Sequence, residues 1–156
     1  MNDYVLVKTL HILSATFLFG TGVGTAFYLL VTTLGRDVRV VAAVTRWVVI
    51  ADWLFTATTA VLQPLTGIWL AHRLGMPLHV GWLKWSLALY AVAIACWLPV
   101  VFLQMRLRDL ARAALDAGAP LPAAYWRAFR AWVLLGVPAL FAFLAIFWLM
   151  VARPTL

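Results

Sequence analysis

Charge is what this chain has least of. Only 11% of its 156 residues are Asp, Glu, Lys or Arg, and the acids number five. With 66% of the chain hydrophobic, a soluble domain of this length would lack the polar residues to keep a wettable exterior. Cysteine appears once, as Cys96 inside an apolar run, so no disulfide framework can form within one chain. The acids are too few for a Ser-His-Asp set, Cys96 has no evident base, and no glycine loop links a strand to a helix to cradle a phosphate. The histidines number three, His11, His72 and His79. With Met76, Met105 and Met150 scattered, a copper-thioether path lacks ligands. No segment is low-complexity, and no internal repeat stands out.

What the chain does have is apolar length. Four runs exceed the roughly 20 residues that a helix needs to cross a bilayer. The expectation is an all-α integral membrane four-helix bundle, one transmembrane domain over residues 1–156. Its helices should span about 4–34, 44–73, 81–117 and 124–152, from the turn and cap signals. Gly35-Arg36-Asp37 breaks the first run, Gly75 and Pro77 the second, and Gly118, Pro120 and Pro122 the third. Pro64, Pro99 and Pro138 fall inside runs and predict bends. Nine tryptophans suit the aromatic belt of a membrane protein. The first run is too long for a signal peptide and opens with Asp3 rather than a basic cluster, so it is expected to be retained.

The formal charge of +7 points to topology and not to nucleic acid, because the basic residues sit at the ends of apolar runs. Arg36, Arg39, Arg46, Arg106, Arg108, Arg112, Arg127 and Arg130 gather at one end. Arg73 and Arg153 lie at the other, with Lys8 and Lys84 just inside the apolar zone. The positive-inside rule then places the arginine-rich loops in the cytoplasm. Both termini are expected to be periplasmic, and the protein to lie in a bacterial inner membrane.

Residues 7–24, VKTLHILSATFLFGTGVG, concentrate the unusual features. Ionisable groups inside a membrane helix are costly and usually face a partner or a cavity. His11 lies about 10 Å into its helix at the 1.5 Å rise per residue, and Lys84, His72, Arg73 and His79 approach from the same end. A neutral imidazole there is a ready ligand for haem iron or another metal. Nearby Lys and Arg would neutralise propionates, and Trp69, Trp82 and Trp85 would line a flat macrocycle. The competing reading is packing: a membrane histidine can hydrogen-bond to Ser, Thr or a carbonyl, and lysines can snorkel to the interface. Asp52 is the one acid deep in a run, about level with Gln104 and Arg106. A structural ion pair or hydrogen bond is the favoured role for it, and a proton-relay carboxylate the alternative. Gly20 and Gly24 form a GxxxG that fits close helix approach, within the bundle or in a homo-oligomer.

The run Lys8-Thr9-Leu10-His11-Ile12 resembles the opening helix of the HemJ-type protoporphyrinogen oxidase family. Phe27-Tyr28-Leu29 after Gly24, the Thr66–Ala71 stretch TGIWLA, and Trp82-Leu83-Lys84 resemble later segments of that family. The resemblance implies haem b, with His11 as axial ligand and Lys84 needed for activity. Over nearly its full length the chain also resembles a bacterial family of uncharacterised predicted integral membrane proteins, through RWVVIADWLFT, QPLTG and ACWLPVVFLQMRLRDLA. Both groups are similar to the copper-resistance CopD proteins. The functional expectation is a haem b redox protein in the lipid bilayer, acting on a quinone or porphyrin-like substrate. In it Lys84 is catalytic, and Lys8, Arg73 and Lys84 balance carboxylates around His11. A non-enzymatic membrane subunit or scaffold and a CopD-like metal transporter stay open beside it.

Overall fold

The computed structural model describes residues 3–154. Four helices account for nearly all of them: α1 (Asp3–Gly35), α2 (Val38–Arg73), α3 (Gly81–Asp116) and α4 (Ala123–Ala152). Each is long and apolar enough to cross a membrane. Their large apolar side chains also face outward, among them Phe27, Trp47, Phe102, Leu134 and Val151. In water such a surface would drive aggregation, whereas lipid tails solvate it. The expected all-helical membrane bundle is the observed fold, with the first and last described residues at the same end.

Local chemistry sets the helix ends. The first turn needs only Gly35-Arg36-Asp37: Arg36 takes the left-handed conformation at φ 59°, and the Asp37 carboxylate accepts from the N–H of Arg39 at 2.9 Å and of Val40 at 3.3 Å. That N-cap starts α2 at Val38, correcting the start expected near residue 44. At the end of α3, Gly118 at φ 60° closes a Schellman turn, in which Ala119 N–H reaches Ala114 O at 3.0 Å. Pro64, Pro99 and Pro138 all stay within helices. The irregularity in α2 lies elsewhere, at Asp52–Thr56, where the backbone widens into a π turn. Such turns occur mostly as single insertions in α-helices, and frequently at functional sites.

Neighbours in sequence pack along one another: α1 on α2, α2 on α3, α3 on α4. The bundle does not close in the same way between α1 and α4. Near the arginine-rich end these two helices are tied by the Thr33 and Tyr125 hydroxyls, 2.8 Å apart and fully buried. Toward the opposite end the Phe19 and Phe147 rings meet edge to face at 5.1 Å. Cores fill both ends, one around Leu29, Val41, Leu107, Tyr125 and Phe129, the other around Ala71, Trp82, Leu83 and Leu149. Between the two cores the bundle is hollow.

Candidate functional site

The structure packs His11 against α2. Thr66 donates its hydroxyl proton to Leu62 O at 2.7 Å, which leaves its oxygen to accept from His11 Nδ1–H at 2.8 Å. The tautomer follows from that network: the bare lone pair is on Nε2, which faces the Gln63 amide nitrogen at 3.5 Å. Gln63 is held in turn by a hydroxyl hydrogen bond from Ser14. On its third side the ring leans on Gly67, where an added Cβ would meet Cε1 at 3.1 Å. Gly67 is thus the glycine whose missing side chain makes room for something.

As these side chains stand they do not fit a haem. The nitrogen that would take the iron is covered by Gln63, and the ring has a helix backbone at its edge. The cations do not converge on it either. Lys8 lies over the Tyr4 ring at 5.7 Å, Arg73 over Trp69 at 5.6 Å and Lys84 over Trp85 at 5.5 Å. Each covers an aromatic residue of its own helix and is exposed, the arrangement of an interfacial anchor. Gly20 and Gly24 make no close approach to another helix of this chain, since a Cβ on either would meet nothing within 4 Å. Their expected packing within the bundle is therefore corrected. Among the described residues no three of His, Cys, Asp and Glu gather as a metal site.

The polar chemistry converges instead on the hollow. A cavity of about 370 Å³ lies between α1, α2, α3 and α4, within the range of small-molecule sites. Its walls are mostly apolar; the polar side chains among them are Thr25 of α1 and the group Asp52, Thr56, Trp97, Gln104 and Trp132. Asp52, Gln104 and Trp132 are only 3%, 5% and 6% exposed. The π turn sets Asp52 and Thr56 on the inner face of α2, and the Thr56 hydroxyl donates to Asp52 Oδ1 at 3.0 Å. Trp97 and Gln104 of α3 approach the carboxyl as hydrogen-bonding side chains, although Asp52 Oδ2 and Trp97 Nε1 stand outside full bonding geometry. Among the described residues four side-chain atoms are buried outside hydrogen-bonding geometry: Asp52 Oδ2, Gln104 Oε1, Trp97 Nε1 and Trp132 Nε1. The sequence-level ion pair is not formed, since neither salt bridge found among the described residues involves Asp52. The hydrogen bond to Thr56 is the structural role the carboxyl has.

Unpaired buried polar groups are rare in folded proteins and call for an explanation. Each costs about 1–3 kcal/mol to leave unmet. All four belong to residues that line the void, but the atoms themselves are covered by protein, each with under 1 Å² of surface exposed. Two glycines keep the void open. Gly22 of α1 and Gly136 of α4 line it, and a Cβ on either would meet nothing within 4 Å. The mouth lies in the α1–α4 seam, where the lining residues Val23, Phe27, Val137 and Leu140 are also exposed on the outer surface. The cavity therefore opens sideways, into what would be lipid, between the Phe19–Phe147 contact and the Thr33–Tyr125 bond.

Sequence reasoning found Asp52 and its level with Gln104 but missed Trp97, Trp132 and the two glycines. A spacing signal existed. Trp97 and Gln104 are two helical turns apart, and Trp132 and Gly136 one turn, so each pair shares a helix face.

No curated protein and no solved structure matches the chain. One family does, described as "Predicted integral membrane protein (DUF2269)", and its match runs over residues 5–154. Four lipid-facing helices and a match over almost every residue lead to one assignment: the chain is a multi-pass integral membrane protein and belongs to the DUF2269 family.

Proposed function

We propose that this protein binds a lipid-soluble small molecule inside the membrane, admitting it from the bilayer through the α1–α4 seam and holding it by the polar groups around Asp52. The observation that carries this reading is a mostly apolar void between the four helices, with Asp52, Thr56, Trp97, Gln104 and Trp132 among its lining residues and exposed residues of α1 and α4 at its edge. The test uses protein purified in mild detergent, extracted with organic solvent and examined by mass spectrometry. Wild type should release a lipid-soluble species near one equivalent per chain. Gly136→Leu, which fills the void from a position with room for its Cβ, should release little. Equal yields from both would refute the reading.

Haem b on His11, as the HemJ-type resemblance implies, is the second reading. It is favoured by the position of Lys8, Arg73 and Lys84 at the same end of the bundle as His11, and it needs Gln63 and Thr66 to release the ring. In it Lys84 would be the catalytic group and Arg73 and Lys8 would face carboxylates. A visible spectrum of the purified protein, oxidised and then dithionite-reduced, tests it: no Soret band, even after added haem, removes it. For topology we propose cytoplasmic arginine-rich loops and periplasmic termini in a bacterial inner membrane, on the arginine count alone. Reporter fusions at each loop check this. Gly20 and Gly24, open toward the outside of the chain, would suit a second copy, and cross-linking in native membranes tests that.

A further inference from the structure

The α1–α4 seam ends, at its arginine-rich edge, in two cations. Arg36, at the left-handed turn that closes α1, lays its guanidinium over the Trp126 ring at 5.3 Å. Arg130, one turn further along α4, brings its Nε–H to Trp126 O at 3.4 Å. Both arginines are exposed, and one half-buried tryptophan carries the two of them. Neither has a carboxylate partner, since the salt bridges among the described residues use Arg108 and Arg112. Asp37, next to Arg36 in the chain, is turned to the N–H groups of α2. Two guanidinium groups held on one residue without an acid suit a phosphate, which arginine grips through paired N–H donors.

We infer that an acidic phospholipid occupies the seam, its phosphate on Arg36 and Arg130 and one acyl chain entering the cavity beside Val137. For the chain this rests on the binding reading above; the headgroup site is added to it. Trp126, Arg130, Val133 and Val137 stand at i, i+4, i+7 and i+11 of α4, a single stripe along the helix. Val133 and Val137 line the cavity. At 1.5 Å per residue they lie about 10 and 16 Å further into the bundle than Trp126, and one leaflet of hydrocarbon is about 15 Å deep. A lipid whose phosphate rests on the arginines therefore reaches the mouth within its own leaflet. The walls it meets are mostly apolar, and a chain there regains the dispersion contacts that an empty void forfeits. A zwitterionic headgroup would bring a cation of its own onto two arginines, whereas an acidic one brings only negative charge.

Dioctanoylphosphatidylglycerol, its phosphatidylcholine counterpart and inorganic phosphate are the probes, titrated by calorimetry into delipidated protein in a neutral detergent. Wild type should bind the glycerol lipid saturably, the choline lipid more weakly and inorganic phosphate not measurably. Arg36→Gln and Arg130→Gln should each weaken the glycerol lipid roughly 5-fold, the contribution of one basic side chain at an acidic lipid surface. Arg39→Gln with Arg106→Gln removes as much charge from the same end, on α2 and α3, and should change it far less. Gly136→Leu and, from the opposite wall, Gly22→Leu should weaken both lipids. Equal affinity for the two lipids, or an equal loss in the control pair, overturns the headgroup site. The binding reading survives that result if the leucine variants still weaken both lipids. Inorganic phosphate that binds as tightly as the lipid also overturns the assignment, leaving a plain anion site. An arginine effect with no leucine effect puts the lipid on the outer surface, and then the placement of the chain and the binding reading fall together. Both fall as well if neither lipid binds wild type.

Discussion

An alanine at position 67 tests how His11 is held. In the folded protein its Cβ would come within 3.1 Å of His11 Cε1, so the ring must move by a few tenths of an ångström. That movement strains the 2.8 Å bond from Nδ1 to Thr66. Interhelical hydrogen bonds in membranes contribute about 0.6 kcal/mol on average and up to about 1.7. Alanine also changes helix propensity, but that contribution is the same whether or not His11 is present, and it cancels in a double-mutant cycle. Gly67→Ala should therefore be less favourable in wild type than in a His11→Ala background by about 0.6 kcal/mol, and by no more than about 1.7. The assay is reversible unfolding of the four proteins by SDS in mixed micelles. If Gly67→Ala has the same effect in both backgrounds to within about 0.3 kcal/mol, the threshold for independent sites, the ring does not lean on α2. The packing described for His11 is then wrong.

Three further outcomes follow from the geometry. Asp37→Ala removes the cap of α2 and should lower stability by about 1 kcal/mol, read by the same SDS titration; no change would mean that the turn is held by other contacts. Tyr125→Phe breaks the hydroxyl pair between α1 and α4 and should cost about 0.6 kcal/mol. Thr33→Val added to it should cost little more, because the two groups answer each other; full additivity would deny the bond. In delipidated protein Trp132→Phe should hold or raise the melting temperature, since it deletes a buried N–H with no partner and keeps the stack on Phe129 at 5.8 Å. A clear drop would show that the indole N–H is already bonded.

The fold was legible because a membrane span is declared by length and hydropathy alone, and Gly35, Gly118 and the turn prolines Pro77, Pro120 and Pro122 mark where runs stop. The start of α2 was harder. Val38 to Thr45 carries Arg39 and is flanked by Arg36, Asp37 and Arg46, and only the Asp37 side chain, bonded back to its own helix, decides that the turn ends there. At the site, depth singled out His11 and Asp52 as costly residues, but the reason each is tolerated lies in other helices. His11 is met by Thr66 and Gln63, the hydrogen-bonding alternative that its residue type always allowed. Lys8, Arg73 and Lys84 share an end with it, as their places in the sequence imply, yet each turns to a ring one to four residues away. Proximity in depth does not fix direction. The hollow could not be read at all, since it arises from where four helices fail to touch, and the π turn that aims Asp52 and Thr56 has no signature in DWLFT.

The π turn also bears on how the chain enters the bilayer. When α2 leaves the translocation channel it brings Asp52 with Thr56 as its one bonded companion, and a mid-helix aspartate raises the insertion free energy by about 2.5–3.5 kcal/mol. An 18-residue stretch of α2 has a mean hydropathy of 1.6, against 2.2 for α3 and 2.5 for α4, so the later helices commit more readily than the one before them. Trp97 and Gln104 arrive only with α3, which favours delivery of α2 and α3 to the lipid as a hairpin. A nascent chain arrested before α3 is synthesised would hold its carboxylate without that company and become the form most open to membrane proteases.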